Sequence, residues 1–343
     1  MLETILDFHF DPDSGTPYWL DVLQKTGFCR HDFRTVSDLH LLGPMDVEAL
    51  RSRPITDFIP ASLLPHMKDM ILAETGGTTG DPCRRVYLPE EFHAAFVAPW
   101  LEAVNTFHFP TNQSWLFIGP SGPHIIAQAA RAFARATESL EPFSIDCDTR
   151  WIKQQQPDSM GHMLYMDHLL NQAMNIINQQ EITVLFTTPP LLLALAERMS
   201  TEQRQRILGI HTGGMAQDTE TGKKLALFFP SAVILPGYGN SLFGVAFEKE
   251  QAANKPSVFF VHDSALHLQL IPLPDNENDT PDLTKTVTEG ERGRVMFHRF
   301  DKSFLLINML ERDTAIRVMK DGRQGLTEIG DLSFQQKNNG GVY

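Results

Sequence analysis

The chain has 343 residues, 42% of them hydrophobic and 21% charged, with a formal net charge of −13. That length and apolar share suit a globular protein with a large core and room for two subdomains. The acidic balance excludes broad binding to nucleic acid or to anionic lipid, so any phosphate ligand must be held by local amides, helix ends and a few basic side chains.

The N-terminus, Met1-Leu2-Glu3-Thr4-Ile5-Leu6, carries an acid and no basic n-region, so no secretory leader is expected. No apolar run approaches the length that spans a bilayer, and no membrane partner is expected. Cys29, Cys83 and Cys147 are scattered and odd in number. They give neither a disulfide framework nor a zinc spacing, which points to a reduced, cytoplasmic protein.

Residues 1–70 read as an irregular lead-in packed on the core. Pro12, Pro17, Pro44, Pro54, Pro60 and Pro65 interrupt it, and short helices fit only at 18–25 and 46–52. Directly after the apolar run 70–73 comes Thr75-Gly76-Gly77-Thr78-Thr79-Gly80-Asp81-Pro82. Nothing in this stretch fills a core. It offers backbone N–H groups and a row of hydroxyls, a surface that suits a polyanion such as a triphosphate; an ordinary Gly/Thr turn is the plain alternative. It is not the common P-loop, because Gly80 is followed by Asp81, Pro82 and Cys83 instead of Lys-Ser/Thr. Arg84 and Arg85 are candidates to assist a phosphate, with two solvated surface arginines as the other reading.

Residues 89–107 read as a helix with Glu90 and Glu91 in the first turn, where the dipole favours acids. A strand at 114–119, a Gly-containing turn at 119–124 and an alanine-rich helix at 125–139 follow. The unit repeats: strands at 143–148, 182–186, 208–212 and 232–235, helices at 161–179, 189–199 and 219–229, and a capping box opening at Ser200. Met163, Met166 and Met174 read as gap-filling core. Strands alternating with helices imply an α/β fold with a mainly parallel sheet covered on both faces, over residues 71–244. From 245 to 343 short strands at 245–247, 256–262, 266–271, 293–298, 304–309 and 315–319 suggest an antiparallel β subdomain, with a polar loop at 275–288. Ligands of parallel sheets bind outside the carboxyl ends of the strands. The turns at 119–124, 213–215 and 236–239 sit at such ends and join the Gly/Thr stretch as a candidate site.

In order and spacing, these motifs resemble the adenylate-forming superfamily. Thr75 to Pro82 resembles its phosphate loop, Ser-Ser-Gly-Thr-Thr-Gly-x-Pro. Thr212-Gly213-Gly214-Met215 is similar to its adenine-side turn, Tyr238-Gly239-Asn240-Ser241-Leu242 to Tyr-Gly-x-Thr-Glu, and Gly293-Arg294-Val295-Met296-Phe297 to Gly-Glu-Leu-Val. The segment 307–313 lies where the family ends in Thr-Gly-Asp, and 50–58 is similar to phenylacetate–CoA ligase relatives. The resemblance covers residues 50–320. It implies ATP as cosubstrate with Mg²⁺, and an aromatic carboxylic acid converted to an acyl-adenylate with release of pyrophosphate. It also implies an acceptor that is CoA, a carrier protein or a partner enzyme, and a homodimer. Shortened members are found in natural-product pathways, including those that tailor phenazine carboxylates. By the same resemblance Thr75, Gly76, Gly77, Thr78, Thr79 and Gly80 cradle the β- and γ-phosphates, with Thr79 the catalytic member. Gly213, Gly214 and Met215 lie at the adenine, Tyr238 stacks on it, Gly239 lets the acyl group approach and Asp313 accepts from the ribose. Gly119, His124, Gly214, Gly237 and Tyr238 border the acid.

The chain departs from the family in three places. The metal-side glutamate falls on Leu242, which cannot coordinate a hard cation, with Glu248 the nearby substitute. The lysine after the loop proline is Cys83. The smaller C-terminal domain with its catalytic lysine is expected to be missing, and Lys337 is a poor replacement. The departures favour a second reading, a degenerate homologue that binds ATP or an aryl acid and regulates or scaffolds; the intact Thr/Gly loop favours the enzyme. A dinucleotide-binding oxidoreductase is disfavoured, since Gly237 and Gly239 lack a third glycine at the required spacing.

Overall fold

The computed structural model describes residues 1–76, 80–157, 159–215, 217–250, 256–274, 276, 279–320 and 322–332. The chain divides into two compact units: residues 1–74, 81–95 and the strands from Val261 onward form one, and Thr75–Gly80 with Phe96–Phe260 form the other.

In chain order the first unit contributes α1 (Leu2–His9), α2 (Pro17–Thr26), α3 (Val47–Ser52), β1 (Ile71–Glu74), β2 (Arg84–Tyr87) and α4 (Pro89–Phe92). A π-helical turn, His93–Val97, follows. The second unit runs α5 (Ala98–Phe107), β3 (Trp115–Gly119), α6 (Ile125–Ala136), β4 (Phe143–Asp146), α7 (Thr149–Gln154), α8 (Met160–Gln179), β5 (Val184–Thr187), α9 (Pro189–Arg198), α10 (Thr201–Arg206), β6 (Gly209–Thr212), α11 (Thr219–Phe228), β7 (Val233–Asn240), β8 (Gly244–Glu248) and β9 (Val258–Phe260). The first unit then resumes with β10 (Leu266–Ile271), β11 (Arg292–Phe300), β12 (Leu305–Lys320) and β13 (Arg323–Asp331). Among the described residues no helix is long and apolar enough to cross a membrane.

In the second unit β4, β3, β5, β6 and β7 pair in that order, all parallel. β8 and β9 extend the sheet antiparallel from β7. The central strands β3, β5 and β6 are buried on both faces, which is why they read as apolar runs, while the edge strand β4 is largely exposed. One face is aliphatic: Leu116, Ile118, Leu185 and Ile210 pack against Leu169, Leu170, Ala173 and Ile177 of α8 and Leu191, Leu192 and Leu195 of α9. Each such side chain contributes about 1.5–3 kcal/mol when fully buried. The other face is aromatic, built from Phe117, Phe186, His211 and Phe247 with Trp100 of α5 and Phe133 of α6. The Ser200 hydroxyl accepts from the Gln203 N–H and the Gln203 side chain from the Ser200 N–H, so the predicted capping box opens α10.

Several sequence expectations are corrected. Met163 is exposed, as is Leu164, because α8 buries residues only from Leu169 on; Met166 and Met174 do pack against the core. The strands expected at 304–309 and 315–319 are one strand, β12, paired on both sides, so its polar middle needs no break. The lead-in holds an unforeseen helix, α1.

In the first unit β10, β11, β12 and β13 form an antiparallel sheet in chain order. The N-terminal segment packs on these strands. The Trp19 indole N–H donates to the Leu305 carbonyl at 3.1 Å, Phe58 stacks on Phe304, and Asn308 donates to the carbonyls of Leu39 and Gly43. Arg85 is neither a phosphate ligand nor a solvated arginine. It is fully buried, and its guanidinium meets Asp301 Oδ2 at 2.6 Å. The same carboxylate takes Arg299 Nε at 2.6 Å, and Arg299 Nη1 lies 2.6 Å from Asp263. Arg84 pairs across the β1–β2 hairpin with Glu74 at 2.8 Å. Glu91 sits in the first turn as expected and accepts from the Leu88 N–H at 2.8 Å, and it is also buried and accepts from the Ser303 N–H at 3.0 Å.

Candidate functional site

Because β3, β5, β6 and β7 are parallel, their carboxyl ends share one end of the sheet, and Gly119, His124, Gly213, Gly214 and Gly237 lie at or just past those ends. Gly119 closes β3, and its carbonyl accepts from the Cys147 N–H at 3.0 Å. The turn beyond it is tied down by Asp146, which accepts from the Ser121 N–H at 2.9 Å. His124 is the N-cap of α6: its Nδ1 accepts from the Ile126 N–H at 3.3 Å, which leaves the ring proton on Nε2. On β5, Thr187 donates to the Ile118 carbonyl at 2.8 Å, while the Gly213 N–H reaches the Thr187 carbonyl at 3.4 Å. This threonine, unforeseen from the sequence, joins β3, β5 and β6 at this end of the sheet. Gly214 follows with φ 81°, a conformation that side chains disfavour, and Met215 is half-buried.

Residues 236–239 are not a turn, as the sequence suggested, but the middle of β7. Parallel pairing with β6 ends at Pro236, and antiparallel pairing with β8 starts at Gly237. Proline lacks an N–H, so it suits the point where the ladder changes hands. Gly239 has a structural reason of its own: a Cβ there would lie 2.0 Å from the Gly244 carbonyl oxygen. Tyr238 is buried, its ring 5.6 Å from Phe243 and 5.9 Å from Phe259. The hairpin turns on Asn240, whose Oδ1 accepts from the N–H groups of Leu242 and Phe243 at 2.8 and 3.1 Å.

Thr75, Gly76 and Gly80 belong to this unit, in the connection between β1 and β2. Gly77, Thr78 and Thr79 of the loop, and Lys337, lie outside the described residues. Asp313 lies in β12 opposite Asp331, in the other unit. Cys83 is buried; burial pushes its thiol up against the counter-pull of Arg51, so it carries no charge to offer a phosphate.

His211, which no sequence motif singles out, lies on the aromatic face of β6. Its Nδ1 is 2.7 Å from the Leu235 carbonyl. The available signal was the strand alternation: Ile210 faces the aliphatic layer, so His211 must face the other. Burial lowers its pKa to about 4, as it does for His9, and that of His298 to about 3. The unfolded chain takes up these protons near pH 6.5 while the folded one does not. Stability is therefore expected to be complete above pH 6.5 and to fall steadily as the pH drops towards 4. Urea unfolding across that range checks this, and a flat profile would contradict it.

No protein-family model matches the sequence, and no curated protein matches it. Solved structures do. One is 2-hydroxyisobutyryl-CoA ligase with 2-HIB-AMP and CoA in the thioesterification state: TM-score 0.68, 14% identity, covering 96% of this chain and 66% of that one. An open conformation of that ligase, also with 2-HIB-AMP and CoA, gives TM-score 0.70 at 13% identity, covering 96% and 68%. An ATP-bound RpMatB–BxBclM chimera gives 0.50 at 12%, covering 74% and 47%. The chain has the fold of these proteins. It spans about two thirds of the ligase's length.

Proposed function

We propose that the chain activates an aromatic carboxylic acid as its adenylate. A carboxylate oxygen bonds to the α-phosphorus of ATP, the bond from that phosphorus to the bridging oxygen breaks, and pyrophosphate leaves. One observation carries the reading: glycine-bearing ends of adjacent parallel strands lie at one end of the sheet, in a fold shared with a ligase whose structures hold 2-HIB-AMP. In this reading Thr75–Gly80 hold the β- and γ-phosphates. Gly213, Gly214, Met215 and Tyr238 receive the adenine, and Gly119, His124, Gly214, Gly237 and Tyr238 border the acid. Positioning and neutralisation of phosphate charge supply most of such a reaction's acceleration.

Magnesium is the fold family's usual companion of ATP. The described residues do not fit a protein-built site for it: Leu242 is buried, and no group of three or more acidic, histidine or cysteine side chains could hold a metal. The acyl group then passes to CoA, a carrier protein or a partner enzyme, in natural-product biosynthesis of the phenazine-carboxylate kind, with the protein acting as a homodimer.

ATP–pyrophosphate exchange with a panel of aryl acids tests the reading, and acid-dependent exchange is the expected result. The buried Leu242 favours a second reading, a module that binds ATP or an aryl acid without turning it over. Tight binding with no exchange for any acid, with and without acceptor, would leave that one standing.

A further inference from the structure

The two halves of α8 differ. Its C-terminal half buries Leu169, Leu170, Ala173 and Ile177, and its outer face is polar, with Asp167, His168, Asn171, Asn175 and Asn178 exposed. The first turns turn apolar side chains outward instead. Met160, Met163 and Leu164 are 67, 46 and 60% exposed, and their i, i+3, i+4 spacing makes one stripe. α7 extends that stripe. The Trp151 ring, 39% exposed, lies over Gly161, where a Cβ would stand 3.7 Å from it, and its centroid is 4.9 Å from that of Tyr165. The Tyr165 oxygen accepts from the Asp148 N–H at 2.8 Å, and Asp148 caps α7, so the two helices are tied together.

Scattered exposed apolar side chains are ordinary, but four large ones side by side are not. These four expose roughly 400 Å², the size at which a patch on a monomer marks an interaction surface. The charges around it narrow the choice of partner. The whole chain carries −13, which opposes self-association in general. Here the signs are even: Arg150 lies beside Asp148, and Arg198 pairs with Asp167. A basic rim would fit an acidic partner. A rim of mixed sign fits its own copy, because each arginine of one chain can meet an aspartate of the other.

We propose that Met160, Met163 and Leu164 with Trp151 are the surface on which a second copy of this chain docks, the first turns of α8 packing against those of the other copy about a two-fold axis. The inference gives the homodimer of the proposed function its interface and rests on that part of the reading alone. Pairing two such patches removes roughly 800 Å² of mostly apolar surface from water. The polar rim brings the total into the range of a stable interface, about 1,200–2,000 Å². Tryptophan and methionine are the residue types that interface cores favour.

Sedimentation velocity on the full chain over a concentration series tests this. The wild type is expected to form a dimer of 38.6 kDa chains. Leu164→Glu places a charge in the patch and is expected to raise the dimer dissociation constant about thirtyfold or more. Met163→Lys is expected to do the same and serves if the first variant fails to fold, which circular dichroism reports. Leu227→Glu, at an 82% exposed position on α11, adds the same charge elsewhere and is expected to leave the dimer intact. A wild type that is monomeric at every concentration overturns the inference and the homodimer reading with it. A dimer that survives both patch variants, or that Leu227→Glu dissociates equally, overturns the inference and leaves the homodimer reading standing.

Discussion

Replacing Asp301 with alanine is expected to cost about 3–5 kcal/mol of folding stability. Asp301 is 3% exposed and is the shared partner of two buried guanidinium groups, Arg85 at 2.6 Å and Arg299 at 2.6 and 3.0 Å. Without it Arg85 keeps its contact with the Tyr87 ring, 3.7 Å from the ring centroid, but loses this carboxylate, while Arg299 keeps Asp263. The Asp301 carbonyl also accepts from His9 Nε2 at 2.9 Å, so the same residue ties α1 to the end of β11. Urea unfolding near neutral pH measures the loss. A double variant, Arg85→Met with Asp301→Leu, is expected to regain part of it, because apolar side chains of similar volume often match a buried pair. A loss under about 1 kcal/mol for Asp301→Ala would contradict the account of this cluster, since it would place the substitution among ordinary surface changes.

Gly239→Ala is expected to be nearly as damaging, at about 3 kcal/mol or more, because overpacking against backbone has no rotamer to escape into. The new Cβ would lie 2.0 Å from the Gly244 carbonyl oxygen and 2.8 Å from Val245 Cα, so the β7–β8 hairpin must part. Since β7 also carries Gly237 and Tyr238, ligand binding is expected to fall with stability. Thermal unfolding together with ATP binding by calorimetry checks this. An unchanged melting temperature would show that the hairpin absorbs the methyl group.

The parallel half of the fold was legible in the sequence because its central strands are buried on both faces and its helices carry their own start signals, as at Ser200. The short strands β1 and β2 were not legible. Their four-residue runs end in Glu74 and begin with Arg84-Arg85, and Arg85 owes its burial to Asp301, 216 residues away. Partners that far apart leave no local pattern. β13 was hidden for a similar reason: Arg323 to Asp331 is polar and is held as a strand by its ladder to β12. At the candidate site the glycines were visible as turn signals, yet the sequence could not tell a turn from a strand that changes pairing partner at Pro236. His211 went unread because a lone histidine in an apolar strand looks like filler. Its Nδ1 partner, the Leu235 carbonyl, lies 24 residues away and leaves no local pattern.

The most direct test of the central claim is ATP–pyrophosphate exchange in Thr79→Ala beside the wild type, with each supplied with the best acid of the panel. The account predicts acid-dependent exchange in the wild type and a fall on the order of a hundredfold in the variant, with its unfolding midpoint unchanged. Equal exchange in the two proteins would remove the Gly/Thr stretch from the chemistry and contradict the account.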